Sequence, residues 1–134
     1  MKLFNATQSS TRCYSADSCQ LADFAIDGSW EQPSTTDRIT GTHWLQVSMN
    51  DTLVSQIKLQ SATGGVLVTV LLYKGETQVG QCESHPGAGS LRNLSCDELV
   101  VADKVKLTFN TTTASTLSVL EMEVIGVVMG KSDL

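Results

Sequence analysis

The chain has 134 residues, 41% of them hydrophobic, which is the size of one ordinary domain with apolar surface for one core. Nine Lys and Arg, scattered rather than clustered, stand against fourteen Asp and Glu for a net charge of −5, so there is no basic footprint for a phosphate backbone and no nucleic-acid partner is expected. The longest apolar run, Val66 to Tyr73, is broken by Thr69 and is far too short to span a bilayer, and the acidic balance with a lone Trp30 on the loops argues against docking on phospholipid, so no membrane partner is expected either.

In chain order, Met1 to Asn5 turns polar at once and lacks the apolar stretch of a secretory leader; a secreted protein would be represented here by its mature chain or an excised domain. Residues 5 to 20 are rich in Ser, Thr and Gln without helical period and predict an extended arm followed by a Cys-closed loop. Leu21, Phe24, Ala25 and Ile26 fit one helical turn stopped by Gly28, and nothing else has a helical period. Residues 29 to 43 then read as a polar, hydroxyl-rich loop with few core formers. A loop that long in a compact domain usually binds something or is pinned by an ion or a bridge, so it is the expected functional edge.

From Trp44 the period becomes two, with Leu45, Val47 and Met49 on one face and Gln46 and Ser48 on the other. Ile57 and Leu59 repeat the pattern, and Gly64-Gly65 turns the chain. Val66, Val68, Val70 and Leu72 alternate with Leu67, Thr69, Leu71 and Tyr73, which predicts a strand apolar on both faces and central to its sheet. Lys74-Gly75-Glu76 predicts a tight hairpin leading into a strand through Thr77, Val79 and Gln81. Val105, Leu107 and Phe109 form a further strand, Asn110 to Ser115 a polar turn, and Leu120, Met122 and Val124 face away from Glu121 and Glu123 in the closing strand. Many short strands with turn signals between them predict an all-β fold, a β-sandwich of jelly-roll type in a single domain over residues 1–134.

Two features point outside the cell. The four asparagines, Asn5, Asn50, Asn93 and Asn110, each begin an N-x-Ser/Thr sequon. With Ser and Thr making up 30 of 134 residues, four hits from four has a chance of about one in four hundred. N-glycosylation at these four sites is therefore expected, with compositional bias toward hydroxyl-rich loops as the alternative. Four cysteines in an acidic chain fit an oxidising compartment. Three pairings are open; Cys13 with Cys19 would close a small loop, Cys82 with Cys96 would staple a hairpin through Pro86-Gly87-Ala88-Gly89, and free buried thiols are the alternative. Neither pair has CxxC spacing and only two histidines exist, so a structural zinc site is not supported.

Three pieces taken together, Ala6-Thr7-Gln8-Ser9-Ser10-Thr11, Ala25-Ile26-Asp27-Gly28 and Trp44-Leu45-Gln46-Val47, resemble the opening of discoidin domains, also called coagulation factor 5/8 type C domains, and of their F-type lectin relatives. Val105-Lys106-Leu107-Thr108-Phe109 and Leu120-Glu121-Met122-Glu123-Val124-Ile125-Gly126 resemble the last two strands of that group. The resemblance implies an eight-stranded jelly roll that displays ligand loops at one end. Many members bind glycans, some bind anionic phospholipid, and others bind collagen or protein receptors. It also implies that Trp44 belongs to the core beneath the loops.

In the lectin relatives a calcium ion is held at one edge. Carried onto this sequence, that implies carboxylates from Asp27 and Glu121, carbonyls from Phe24, Ser29 and Leu120, and a hydroxyl from one of Ser34, Thr35 or Thr36. Calcium takes six to eight oxygens of these kinds; the alternative is that Asp27 caps a turn and Glu121 lies on the wet face of its strand. The relatives' fucose pocket uses an Arg-x-Asp pattern where this chain has Gln60-Ser61-Ala62-Thr63-Gly64-Gly65, so fucose specificity does not carry over. Trp30, Asp37, Arg38 and His43 remain as candidate ligand contacts: an aromatic plate, a carboxylate, a guanidinium and an imidazole. Their structural alternatives are a loop plug for Trp30, a solvated pair for Asp37 and Arg38, and an exposed strand-entry residue for His43.

No phosphate loop, zinc-binding His pair or nucleophile elbow is present, and nothing in the sequence joins Asp23 to Glu98 as a glycosidase pair, so no enzyme activity is expected. The expected function is extracellular recognition of a glycan or glycoprotein, calcium-stabilised, in a secreted protein or the outer part of a cell-surface one. The alternative is a protein-binding adhesion or receptor domain, engaging a cell-surface protein without sugar.

Overall fold

The computed structural model describes residues 3–15, 18–26, 33–61, 67–86 and 91–129, with Tyr14 as backbone only. Among these residues lie nine antiparallel strands: β1 Leu3–Gln8, β2 Cys13–Ser15, β3 Ser18–Cys19, β4 Ser34–Thr35, β5 Ile39–Ser61, β6 Val68–Lys74, β7 Thr77–His85, β8 Leu91–Ser115 and β9 Ser118–Val128. A single 3-10 turn, Ala22–Ala25, fills the place of the helical turn expected from Leu21 to Ile26, closed by Phe24 N–H to Leu21 O (3.1 Å) and Ile26 N–H to Asp23 O (3.0 Å). No helix of the described residues is long and apolar enough to cross a membrane.

The long strands β5 and β8, of 23 and 25 residues, organise the rest because each serves both layers. The first half of β5 pairs with β1 (Leu3↔Met49, Gln8↔Leu45) and with the second half of β8 (Leu45↔Leu107, Val47↔Val105). After the register shift between Ser48 and Thr52, its second half pairs with the first half of β8 (Ile57↔Leu94) and with β9 (Leu59↔Met122). β6 lies between β8 and β7, and β4 adds two residues to the edge of β9. Counting each half of β5 and β8 separately, and leaving aside the short β2, β3 and β4, gives eight strands in a jelly-roll sandwich.

One core joins the two layers. Leu45, Val47, Ile57, Leu59, Val70, Leu72, Val105, Leu107 and Met122 are each no more than 1% exposed and belong to one cluster. Burying side chains of this kind contributes about 1.5–3 kcal/mol each relative to leaving them in water.

The structure corrects several expectations. The strand expected from Trp44 begins at Ile39 and continues through Asn50-Asp51, and the polar turn expected at Asn110–Ser115 is the end of β8. Trp44 is only half-buried: once Leu45, Val47 and Met49 face the core, period two puts Trp44 on the other face with Gln46 and Ser48, where the Lys106 ammonium lies 5.5 Å from its ring centre. β6 is interior to its sheet, but only Val68, Val70 and Leu72 are buried; Thr69, Leu71 and Tyr73 are half-buried, and Leu67 lies outside the strand at 63% exposed. Val66 lies outside the described residues.

Candidate functional site

The segment expected to be one polar loop divides into parts with different surroundings. Asp27, Ser29 and Trp30 lie outside the described residues. Ser34, Thr35 and Thr36 are buried, at 1%, 4% and 0% exposed, because β4 pairs Ser34 with Val119 and Thr35 with Ser118. Asp37 to Thr40 and Thr42 are exposed, and Gly41 between them takes φ +102° at a register shift of β5 against β8, a conformation that favours glycine. Among the described residues the exposed rim is therefore Asp37–Thr42.

A clamp beneath the rim holds it. His43 is fully buried, in phase with Leu45 and Val47, and its ring stacks on Phe109, its cross-strand partner, with centroids 4.8 Å apart. Its Nε2 lies 2.8 Å from Ile39 O, a carbonyl that only accepts, so Nε2 carries the proton and Nδ1 accepts. Thr36 Oγ1, 2.6 Å from Nδ1, donates to it while accepting the Leu117 N–H at 2.8 Å. His43 thus ties both ends of Asp37–Arg38 to the start of β9. With both ring nitrogens engaged and no exposed surface, it is not a ligand contact and not an exposed strand-entry residue.

Asp37 and Arg38 stand on the clamped rim, both exposed. The Asp37 N–H donates to Ser10 Oγ at 2.8 Å. Arg38 faces the β8–β9 turn, and with Ala114, Ser115 and Thr116 it lines a shallow cavity of about 180 Å³. That is below the roughly 300–1,000 Å³ of drug-sized pockets and suits one end of a small polar ligand. The rim is braced from the N-terminal side as well: Arg12 N–H donates to Thr35 O (2.9 Å), Thr35 N–H to Gln20 O (3.2 Å), and the Gln8 amide to Thr11 Oγ1 and Gln20 O (3.0 Å each). Trp44 N–H donates to Ser9 Oγ at 3.1 Å.

Of the implied calcium ligands, Phe24, Leu120, Glu121 and the three hydroxyl candidates are described. Glu121 is 4% exposed while Glu123, two residues on, is exposed, so Glu121 is not on a wet face; the 3-10 turn that carries Phe24 packs on β9. Residues opposite each other in an antiparallel pair share a face. β5 pairs Gln60 with Glu121 but Ser61 with Val119, so a bulge at Leu120 turns Glu121 to the face opposite Val119; Thr35, opposite Ser118, shares the face of Glu121, and Ser34, opposite Val119, lies on the other. Thr36 is occupied by His43 and Leu117, which leaves Thr35 as the hydroxyl on the face of Glu121. A buried carboxylate with carbonyl and hydroxyl oxygens is a hard-cation donor set. Among the described residues no group of three His, Cys, Asp or Glu is gathered at one point.

Cys13–Cys19 and Cys82–Cys96 are both disulfides, the first across β2 and β3 and the second across β7 and β8. The four sequon asparagines are all exposed. Asn5 sits at a bulge of β1 with φ +50°, which Asn tolerates better than most residues.

Sequence reasoning missed Thr36 as a clamp and the segment Ala114–Thr116, at the end of β8, as a wall. His43 could have been placed by carrying the Leu45, Val47, Met49 phase back one step. Nothing local marks Ser115 and Thr116, which reach Arg38 only through the β5–β8 register.

No family model matches the sequence, and no curated protein matches it. Solved structures match it in fold. The lectin domain of lectinolysin complexed with Lewis B antigen superposes with a TM-score of 0.71 at 22% identity, over 91% of this chain and 92% of that one. A chitosan-binding module from a chitosanase/glucanase of Paenibacillus sp. IK-5 gives 0.74 at 22% identity, over 91% and 94%. A module from Clostridium perfringens in complex with GalNAc-β-1,3-galactose gives 0.75 at 18% identity, over 92% and 95%. This chain has the jelly-roll fold of carbohydrate-binding modules and lectin domains, the discoidin-like fold that its motifs imply.

Proposed function

We propose that this protein is a non-catalytic, extracellular glycan-recognition domain that binds through the Asp37–Thr42 rim and the end of β8 with Thr116 beyond it. The observation that carries the reading is the polar cavity at Arg38, Ser115 and Thr116, set on a rim fixed by the Thr36–His43 clamp. Guanidinium and hydroxyl groups are donors to sugar hydroxyls, and a rim already in place loses little entropy on binding. A fold shared with modules that bind Lewis B, chitosan and GalNAc-β-1,3-galactose supports the same class of ligand. Trp30, outside the described residues, would add an aromatic plate. A cavity this small gives weak single-site affinity, which multivalent display raises.

Calcium is part of the proposal as a structural ion, held by the carboxylates of Asp27 and Glu121, the carbonyls of Phe24, Ser29 and Leu120, and the Thr35 hydroxyl. When bound, it would neutralise those carboxylates and fix the chain before β4. Two disulfides and four exposed sequons at Asn5, Asn50, Asn93 and Asn110 support secretion or cell-surface display with N-glycans.

A glycan array probed with and without a chelator tests the reading: calcium-dependent binding to a defined set of sugars is expected, and silence across the array would remove it. One observation favours a second reading, a protein-binding adhesion domain. Ile39 on the rim is 49% exposed, an apolar contact that suits a protein surface better than a sugar edge.

A further inference from the structure

Resting on the glycan reading, we propose that the Arg38 cavity selects sugars that carry an anionic group, a carboxylate or a sulfate ester. Among the described residues Arg38 forms no ion pair, and no carboxylate lines its cavity; the other walls are Ala114 and the two hydroxyl residues Ser115 and Thr116. A guanidinium offers two parallel donors to a planar carboxylate or a sulfate, a match that neutral sugar hydroxyls do not use fully. Flanking hydroxyls supply further donors to the same anion.

Rigidity makes the guanidinium selective. His43 and Thr36 hold the backbone two residues before Arg38 and one residue after it, and the Leu117 N–H on Thr36 fixes the residue next to Thr116. Both walls of the cavity are therefore set by one hydrogen-bond chain, and the cation is presented on a framework that need not order itself on binding.

A contrast within the molecule sharpens the assignment. Another cavity, of about 300 Å³, is lined by Gln78, Val79, Gly80, Gln81, Asp97 and Glu98, with no cation among these residues. In a chain of net charge −5 that groove repels an anionic sugar, whereas the Arg38 cavity offers it a counter-charge.

The test compares three probes that share one core and differ in the group added: lactose, 3′-sialyllactose and 3′-sulfolactose, titrated into the full chain at low and at physiological salt. The expected result is at least about tenfold tighter binding of one or both acidic sugars than of lactose, with the preference shrinking as salt rises. Sialyllactose alone points to a carboxylate site and sulfolactose alone to a sulfate site. Arg38→Gln is expected to remove the preference and Arg38→Lys to keep part of it, because lysine retains the charge without the fork. Equal affinity for the three sugars, a preference insensitive to salt, or a preference that survives in a folded Arg38→Gln overturns the inference. Binding to neutral sugars only would overturn it while leaving the glycan reading in place, whereas no binding to any sugar of a broad array would overturn both.

Discussion

The hydroxyl of Thr36 is bonded on both sides, to His43 Nδ1 and from Leu117 N–H, and all three groups are buried. Thr36→Val keeps the shape and leaves an acceptor and a donor without partners, so it is expected to cost about 2–4 kcal/mol in denaturant unfolding, while Thr36→Ser costs about 1 kcal/mol for the lost methyl. If the two variants unfold at the same midpoint, the clamp is not what holds the rim. Gly126 is decided by backbone contact instead of by a hydrogen bond. A Cβ there would collide with the Leu53 carbonyl oxygen where β9 crosses the bulge of β5. Gly126→Ala is expected to destabilise by about 1–3 kcal/mol, read as a lower melting temperature, although the residue itself is exposed. Neither role is visible in local sequence, since a Thr in a Ser/Thr-rich run and a Gly after Ile carry no mark of their partners.

At the scale of elements, the β6–β7 hairpin was legible because Gly75 has φ +62° in a two-residue turn, a demand the sequence announces. What anchors it was not legible: Lys74 Nζ lies 2.6 Å from Asp51 and 3.9 Å from Asp103, Gly75 N–H donates to the Asp103 carboxylate, and Lys104 Nζ donates to Gly75 O. The hydrogen bond to Asp51 raises the Lys74 pKa, outweighing the opposing effect of desolvation, with the charges of Asp51 and Asp103 adding to it. A group with a raised folded-state pKa stabilises fully below its unfolded value and loses that contribution as pH climbs through the folded one. Amide exchange at Gly75 is therefore expected to keep an unchanged protection factor from neutral pH to roughly pH 10, and protection is expected to fall above roughly pH 10.4. At the other end of β7, the Cys82–Cys96 disulfide closes a loop across 14 positions. Replacing both cysteines with alanine is expected to lower stability by about 3 kcal/mol in a denaturant titration, and an unchanged midpoint would show that the strand pairing alone suffices.

For the whole molecule, the calcium proposal makes a prediction that does not depend on finding a ligand. An ion that binds only the folded chain stabilises it by about 2.7 kcal/mol at a hundred times its dissociation constant. Adding calcium to chelator-treated protein is therefore expected to raise the melting temperature by several degrees, and Glu121→Gln is expected to abolish the rise. A melting curve indifferent to calcium would remove the ion. The sequence by itself determined the all-β class and the core phase of Leu45, Val47, Leu107 and Met122, because these rest on period two, while it left three cysteine pairings open and the structure chose Cys13–Cys19 and Cys82–Cys96. Only the tertiary structure decided that Ser34 to Thr36 are buried, that His43 is a clamp and not a contact, and that Arg38 meets Ser115 and Thr116. Those facts follow from which residues β4, β5, β8 and β9 bring opposite one another, and that register joins positions up to 85 residues apart, beyond the reach of any local pattern.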